Sequence, residues 1–518
     1  MKPVLTTTRL AIALLGFVSL AAYGSEPDSL TLEQAIRYAL QQNRNLTRSV
    51  TSLRRSAYGV VNARAEFSPR IRPVSDVRFS GEEDNWEQGL ITAKKIGWGT
   101  DFSVGGRMAS TESVGLEDSR RMIVDLTIAQ PLFRNFGRMI NTEGVTSARS
   151  QLKAAQRSYH EQVADLVVEV VNTFETLIQL EGEIHSDEAF YKRMDKLQRL
   201  TAVRERQGRA SRVDTLRVDL QRGQAESRLE LSRERWATTS RDFAELLGFS
   251  PDRRFKLESP PLLDLDVPEA KEAVLVALAH RLDYAQALQD YDDSARGVAI
   301  ARKGLYPDLS LVTTYQRFGA GESFSDARGL DEDNWFVGLT ADTDFNPVLD
   351  RSAVAQAELD REASAQSVRI AELSIAREVQ QVLSSYRRAQ VDLDIAGRNA
   401  VFAEKRARIA RRLFEVGRGD NFSVTDAEES YIQAQSQLLR ARADASVTGY
   451  RVLRRLGTLV QYPEWLKPSP EFVAELEEEA PVAQGVAHAT PVVVRLPSRD
   501  EKDDSGAEDF RGKGERIE

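Results

Sequence analysis

The sequence contains no cysteine. It therefore has no disulfide, no thiolate metal site and no cysteine nucleophile. Histidine is scarce: His160, His185, His280 and His488 are scattered without ligand spacing, which speaks against a metal centre. No phosphate-cradling glycine loop, nucleophile elbow or paired catalytic acid is present. The expectation is a protein that is not an enzyme and needs no cofactor. An excess of positive charge is also missing. The formal charge of −9 leaves no basic footprint for nucleic acid.

Long apolar runs are missing as well. The one apolar stretch, residues 10–23, follows Lys2 and Arg9 and precedes the small-residue sequence "AYG". A membrane-spanning helix takes about 20 apolar residues, so this run is short for that purpose. It reads as a secretory signal peptide over residues 1–24, cleaved before Ser25; a buried terminal helix is the alternative. A lipid anchor is excluded, because "SLAAYG" offers Tyr23 and no cysteine. With no later stretch resembling a transmembrane helix, a membrane location would require a β-barrel.

What is present is repetition, the first thing to seek in a long chain. "ALQQNRNL" (39–46) matches "ALAHRLDY" (277–284) at an offset of 238 residues, and "NARAEFSPRI" (62–71) matches "IARKGLYPDL" (300–309) at the same offset. "DLTIAQPLFRNFGR" (125–138) matches "GLTADTDFNPVLDR" (338–351) at 213. "RQGRAS" (206–211) with "EVGRGD" (415–420), and "ELLG" (245–248) with "RRLG" (454–457), hold 209. Each copy has one order: a helical pair, a proline, a β segment and a helical hairpin. The offset falls from 238 to 213 across the β segment, so the second copy is 25 residues shorter there, and the enlarged first β region is expected to add either a surface hairpin or a longer external loop.

The β segments alternate with period two. In "WFVGLTADTDF" (335–345), Trp335, Val337, Leu339, Ala341 and Phe345 share one face. Four principal strands are expected, at about 70–80, 121–131, 309–318 and 335–345, with a further alternating piece at 101–108. Segments of about ten residues with one apolar and one polar face fit a transmembrane barrel. They also fit an antiparallel sheet with one solvated face. Four strands cannot close a barrel, so closure needs several chains.

The helices are very long. The run from about Arg138 to Gln207 contains no proline and would extend roughly 105 Å. Ile375, Val379, Val382, Tyr386 and their successors to Phe414 recur at alternating spacings of four and three, a sustained heptad seam. The charged stretch "KRARIARR" (405–412) reads as a solvated helix face. Gly208, Gly417 and Gly419 supply the backbone freedom that tight helix reversals need. Beyond residue 462 the chain is rich in Pro, Glu, Asp and Gly, the composition of disorder.

Together, the "LTLEQAIRYALQQN" opening (30–43), the two strand-to-helix junctions, the paired glycine turns and the duplicated order resemble the TolC-like outer-membrane efflux protein family. The resemblance covers about residues 30–460. It implies a mostly α fold with membrane β, in which three chains give four strands each to a 12-stranded β-barrel. A long periplasmic α-barrel continues that barrel. Prolines mark the strand-to-helix switch, here Pro131 and Pro347. The far turns, Gly208, Arg209, Ala210 and Ser211 with Val416, Gly417, Arg418, Gly419 and Asp420, would face a periplasmic adaptor. The family's aperture acids fall on Asp214 and Asp426, while another acidic position is occupied by Ser423. The same two acids also fit as ordinary helix-start carboxylates.

The expected layout is a signal peptide (1–24), a first repeat (25–257; β segment about 70–132, hairpin about 138–248), a second repeat (258–462; β segment about 308–346, hairpin about 350–457) and a disordered acidic tail (463–518). The expected function is a passive, homotrimeric exit duct in the outer membrane of a Gram-negative bacterium, reaching into the periplasm. It would contact outer-membrane lipid and be fed by an inner-membrane transporter through the adaptor, in an efflux pump or a type I secretion system. A non-conducting periplasmic coiled-coil scaffold is the alternative.

Overall fold

The computed structural model describes residues 29–79, 83–113, 119–342 and 346–461. The signal peptide (1–24), the tail (463–518) and Phe345 lie outside them. The first half runs α1 (Leu32–Gln42), α2 (Arg44–Ala65), β1 (Arg70–Phe79), β2 (Glu83–Lys95), β3 (Asp101–Ser113), β4 (Ser119–Pro131), α3 (Arg138–Asn141), α4 (Glu143–Arg206) and α5 (Arg212–Leu246). The second half runs α6 (Ala270–His280), α7 (Leu282–Gly304), β5 (Leu309–Gly321), α8 (Phe324–Ala327), β6 (Glu332–Ala341), α9 (Val348–Glu415) and α10 (Asn421–Leu456). The 64 residues of α4 span about 96 Å. No helix among the described residues is long and apolar enough to cross a membrane.

The repeat is written into the core. One buried cluster joins α1, α4, α5 and α10 and contains Leu166, Val170, Phe174, Leu177, Phe243 and Leu247. A second joins α6, α7, α9 and α10 and contains Ile375, Val379, Leu383, Tyr386, Val452 and Leu456. Each residue of the second set lies 209 positions after its counterpart in the first. Ala35 and Ala39 likewise correspond to Ala273 and Ala277 at 238, all four fully buried. Alanines at these crossings let helix backbones approach closely, while the large side chains fill the layers between. On α9 the whole heptad seam is buried or half-buried. Ile375, Val379, Tyr386, Ala396, Ala400, Ala407 and Phe414 are buried, and Leu383 is buried beside the half-buried Val382.

All six strands form one antiparallel sheet in the order β1-β2-β3-β4-β5-β6. The four principal strands expected are present as β1, β4, β5 and β6, and two more stand between β1 and β4. The greater length of the first repeat comes from a hairpin, β2–β3, inserted between β1 and β4. The alternating piece at 101–108 lies in β3, and β2 completes the hairpin with it. The register puts Ile71, Leu90, Val104, Leu126, Tyr315 and Val337 on one face. All six are exposed. The opposite face carries Arg72, Glu87, Arg107, Asp125, Gln316 and Asn334.

Candidate functional site

Two places merit attention: the junctions beneath the sheet and the hairpin tips at the far end. Pro131 is the last residue of β4 and lies opposite Ser310. It has no amide to donate, but the chain continues beside β5, with Leu132 N donating to Leu309 O at 2.8 Å and Arg134 N to Pro307 O at 3.3 Å. Gly137, at φ +114, then turns the backbone into α3. Asn141 Nδ2 ties the corner by donating to Asn135 O and Gly137 O, at 2.7 and 3.0 Å. Pro347 does different work: it is the residue immediately before α9, and its carbonyl accepts from Arg351 N at 2.9 Å. The two prolines thus terminate a strand and open a helix, respectively, which explains why the second comes later in the alignment. An Arg134–Asp350 ion pair of 2.9 Å joins the two junctions.

The hairpin tips are built alike. Gly208 and Gly417 adopt φ +71 and +78. Gly208 N donates to Glu205 O and Arg209 N to Arg204 O; 209 residues later Gly417 N donates to Phe414 O and Arg418 N to Leu413 O. Ala210 and Gly419 then lead into the caps of the returning helices. Ser211 caps α5: its Oγ accepts from Asp214 N at 3.2 Å, and its own N and Oγ donate to the Asp214 carboxylate at 3.1 and 2.7 Å. Asp420 caps α10, accepting from Ser423 N at 3.0 Å. Ser211 and Asp420 are equivalent at the 209 offset, as are Asp214 and Ser423. Serine and aspartate have therefore exchanged places across the cap. Ser423 stands where an acid was expected because that repeat's carboxylate is at Asp420.

This exchange brings Asp214 and Asp420 together about Arg217. Arg217 Nη1 lies 3.8 Å from Asp214 Oδ1, and its guanidinium sits 5.6 Å from the Phe422 ring. Hydrogen bonds from Ser211 hold the Asp214 carboxyl below its ordinary range, opposed in part by the charge of Asp420. Hydrogen bonds from Ser423 do the same for Asp420, with help from Arg217. Both are ionised at neutral pH. Asp426 is not part of this group: it is paired with Arg406 of α9 across its own hairpin, and Arg406 also donates to Ser430 Oγ at 3.1 Å.

Sequence reasoning missed the residues that bind one tip to the other. Glu428 is fully buried and takes Arg193 of α4 at 2.7 Å and Arg411 of α9 at 3.1 Å. Thr201 Oγ1 donates to Asn421 Oδ1 at 3.1 Å, and Arg204 Nη2 to Phe414 O at 2.7 Å. The Arg204 guanidinium also lies 3.9 Å from the centre of the Phe414 ring. Beside them is a cleft of about 260 Å³ whose lining includes Lys196, Leu200, Arg408 and Arg412. The only signal in the sequence was the density of arginine in "KRARIARR". Among the described residues no group of His, Asp and Glu is arranged to hold a metal.

Residues 274–457 match the sequence model of the outer membrane efflux protein family. No curated protein matches the chain. Among solved structures, the outer-membrane channel OprN is similar at a TM-score of 0.66 and 18% identity, over 82% of this chain and 89% of that one. The outer membrane protein VceC from Vibrio cholerae gives 0.64 and 18%, over 82% and 96%. The CmeC outer membrane channel of Campylobacter jejuni gives 0.65 and 11%, over 86% and 89%. At these identities the structures establish the fold, and the family match to the second repeat supplies the sequence evidence. The second repeat thus matches the outer membrane efflux protein family in sequence, and the chain as described shares its duplicated fold with OprN and VceC.

Proposed function

We propose that the protein is the outer-membrane exit duct of a tripartite efflux or type I secretion system. The observation that carries this reading is the sheet: one face apolar and exposed on every strand, two unpaired edges, and strands that pass directly into helices about 96 Å long. An exposed apolar face of that extent needs lipid. Its free edges need partners, because barrels cross membranes only when closed. Three copies meet both needs. Residues 25–257 and 258–462 are the two repeats, and the leader over 1–24 directs export and is cleaved without lipidation.

The helical tips would then meet a periplasmic adaptor, with energy supplied by an inner-membrane transporter. The cleft lined by Lys196, Arg408 and Arg412 suits an adaptor with acidic side chains at its contact. Asp214 and Asp420 from each chain would ring the aperture and favour cations. Asp426 lies farther along α10 and is neutralised by Arg406. The duct reading requires outer-membrane fractionation, a detergent-stable trimer and ion conductance in a planar bilayer. A soluble monomer in the periplasmic fraction would sink it and favour a scaffold. Asp214→Asn combined with Asp420→Asn should lower cation selectivity; unchanged selectivity would remove the tips from the conducting path.

A further inference from the structure

We infer that each chain contributes six strands to the membrane wall, so that the closed barrel has 18 strands and a wide aqueous lumen. The trimer in this inference rests on the duct reading above; the six strands per chain do not. The question is whether β2–β3 is part of the wall or a hairpin that merely leans on it. Three observations place it in the wall.

First, the hairpin interrupts the pairing it would otherwise flank. β1 pairs with β2 over ten consecutive residues, from Arg70 opposite Ala93 to Phe79 opposite Asp84. β3 pairs with β4 over eleven, from Asp101 opposite Ala129 to Thr111 opposite Ser119. β1 and β4 do not touch as neighbours.

Second, the two faces run through it unbroken. Leu90 and Thr92 of β2, then Phe102 and Val104 of β3, continue the apolar band between Ile71 of β1 and Leu126 of β4. On the other face Arg107 of β3 binds Glu87 of β2 at 3.1 Å and Asp125 of β4 at 3.0 Å, a polar chain across three strands. Gly105 leaves room for it: a Cβ there would lie 2.7 Å from Asp125 Oδ1. A hairpin packed on the outside of a wall would instead turn an apolar face inward against that wall.

Third, its lower end is fixed to the helical part. The turn at 96–100 accepts a hydrogen bond at Trp98 O from Gly137 N at 3.2 Å, and Trp98 lies 6.0 Å from Phe136. Lys95 pairs with Glu66, at the end of α2, at 3.0 Å. The exposed Trp98, Phe133 and Phe136 lie at that level, as an aromatic girdle would.

The edges allow closure. β1 and β6 are both ten residues long, and an even number of alternating strands makes them antiparallel where two chains meet. Their outward residues match in kind, Ile71 and Val77 on one, Val337 and Leu339 on the other. Barrel diameter rises roughly in proportion to strand number, so 18 strands give a barrel about 1.5 times as wide as twelve. At 18 strands the interior is an aqueous channel rather than a packed core. Discrimination by size then belongs to the periplasmic tips and not to the outer-membrane section.

The chain lacks cysteine, which makes the test clean. Arg72→Cys with Ile91→Cys joins facing residues of β1 and β2, and Thr127→Cys with Thr314→Cys does the same for β4 and β5. In outer membranes treated with oxidant, both pairs should form intrachain disulfides to a similar extent, read by non-reducing peptide mass mapping. A control pair that closes while the first pair stays reduced would overturn the inference. Electron cryomicroscopy of the purified protein in lipid nanodiscs should show 18 strands in cross-section. Twelve strands with residues 83–113 outside the wall would refute it. The same map counts chains in the helical tunnel independently: any number other than three refutes the duct reading, and the total of 18 with it, whatever the strand count per chain.

Discussion

The two repeats follow one path but differ in the sheet and where they start. Their helical layers correspond side chain by side chain, Phe174 to Leu383 and Phe243 to Val452, whereas the first sheet region has four strands and the second two. A packed core constrains every neighbour, since interiors fill space at crystal-like density. An antiparallel wall is looser: a hairpin can enter between two strands and leave each existing face and direction as it was. The entries to the helices differ in the same spirit. Asn43 and Arg281 are equivalent, both buried, and both precede a helix. Asn43 caps α2 by accepting from Asn45 N and Leu46 N. Arg281 makes no such bond and instead pairs with Asp283 and Glu378. A position can thus keep its burial and its place at a helix start while changing its chemistry.

The correspondence of the cores is tested hardest by truncation. Phe174→Ala should cost about 3–5 kcal/mol and Leu383→Ala about 2–5 kcal/mol, read as lower thermal unfolding temperatures in detergent. If one is silent while the other is severe, the repeats do not share a core. The tips break the symmetry on purpose. Glu428 is buried between two arginines, while Asp219, its equivalent 209 residues earlier, is exposed. Glu428→Gln should cost about 2 kcal/mol and Asp219→Asn less than about 0.5 kcal/mol, measured in the same assay.

Loss of the first repeat's private cap is smaller. Asn43→Ala should destabilise by about 1 kcal/mol, with faster amide exchange at Asn45 and Leu46. The smallest effect concerns pH. Asp214 and Asp420 have carboxyl pKa values below the ordinary 3.8 in the folded chain. Each therefore adds stability that is fully present above that value and is lost as pH falls through the lower folded one. Asp214→Asn should lower the unfolding temperature slightly at pH 7 and leave it unchanged near pH 2. An equal change at both pH values would show that charge is not what the cap uses.

Much of this was legible in the chain. The duplicated order could be read because buried positions recur at fixed spacing and glycines mark the reversals. β2 was not legible: its outward face is Trp86, Gln88, Leu90 and Thr92, while Ile91 points inward, so the period-two contrast is weak. Its place comes from pairing with β1 and β3. The exchange of serine and aspartate between Ser211–Asp214 and Asp420–Ser423 was within reach, because both bonds are local and the 209 offset exposes them. The Arg406–Asp426 and Glu428 pairs were out of reach, since their partners come from other helices.

Local chemistry alone determined the helix reversals at Gly208 and Gly417, the strand end at Pro131, the capping boxes and the two-faced strands, because each depends on residues a few positions apart. Tertiary structure decided the six-strand order, the grouping of Asp214 with Asp420 about Arg217, and the burial of Glu428. Those depend on which distant segments share a surface, and a carboxylate's role follows from the cations and amides that reach it.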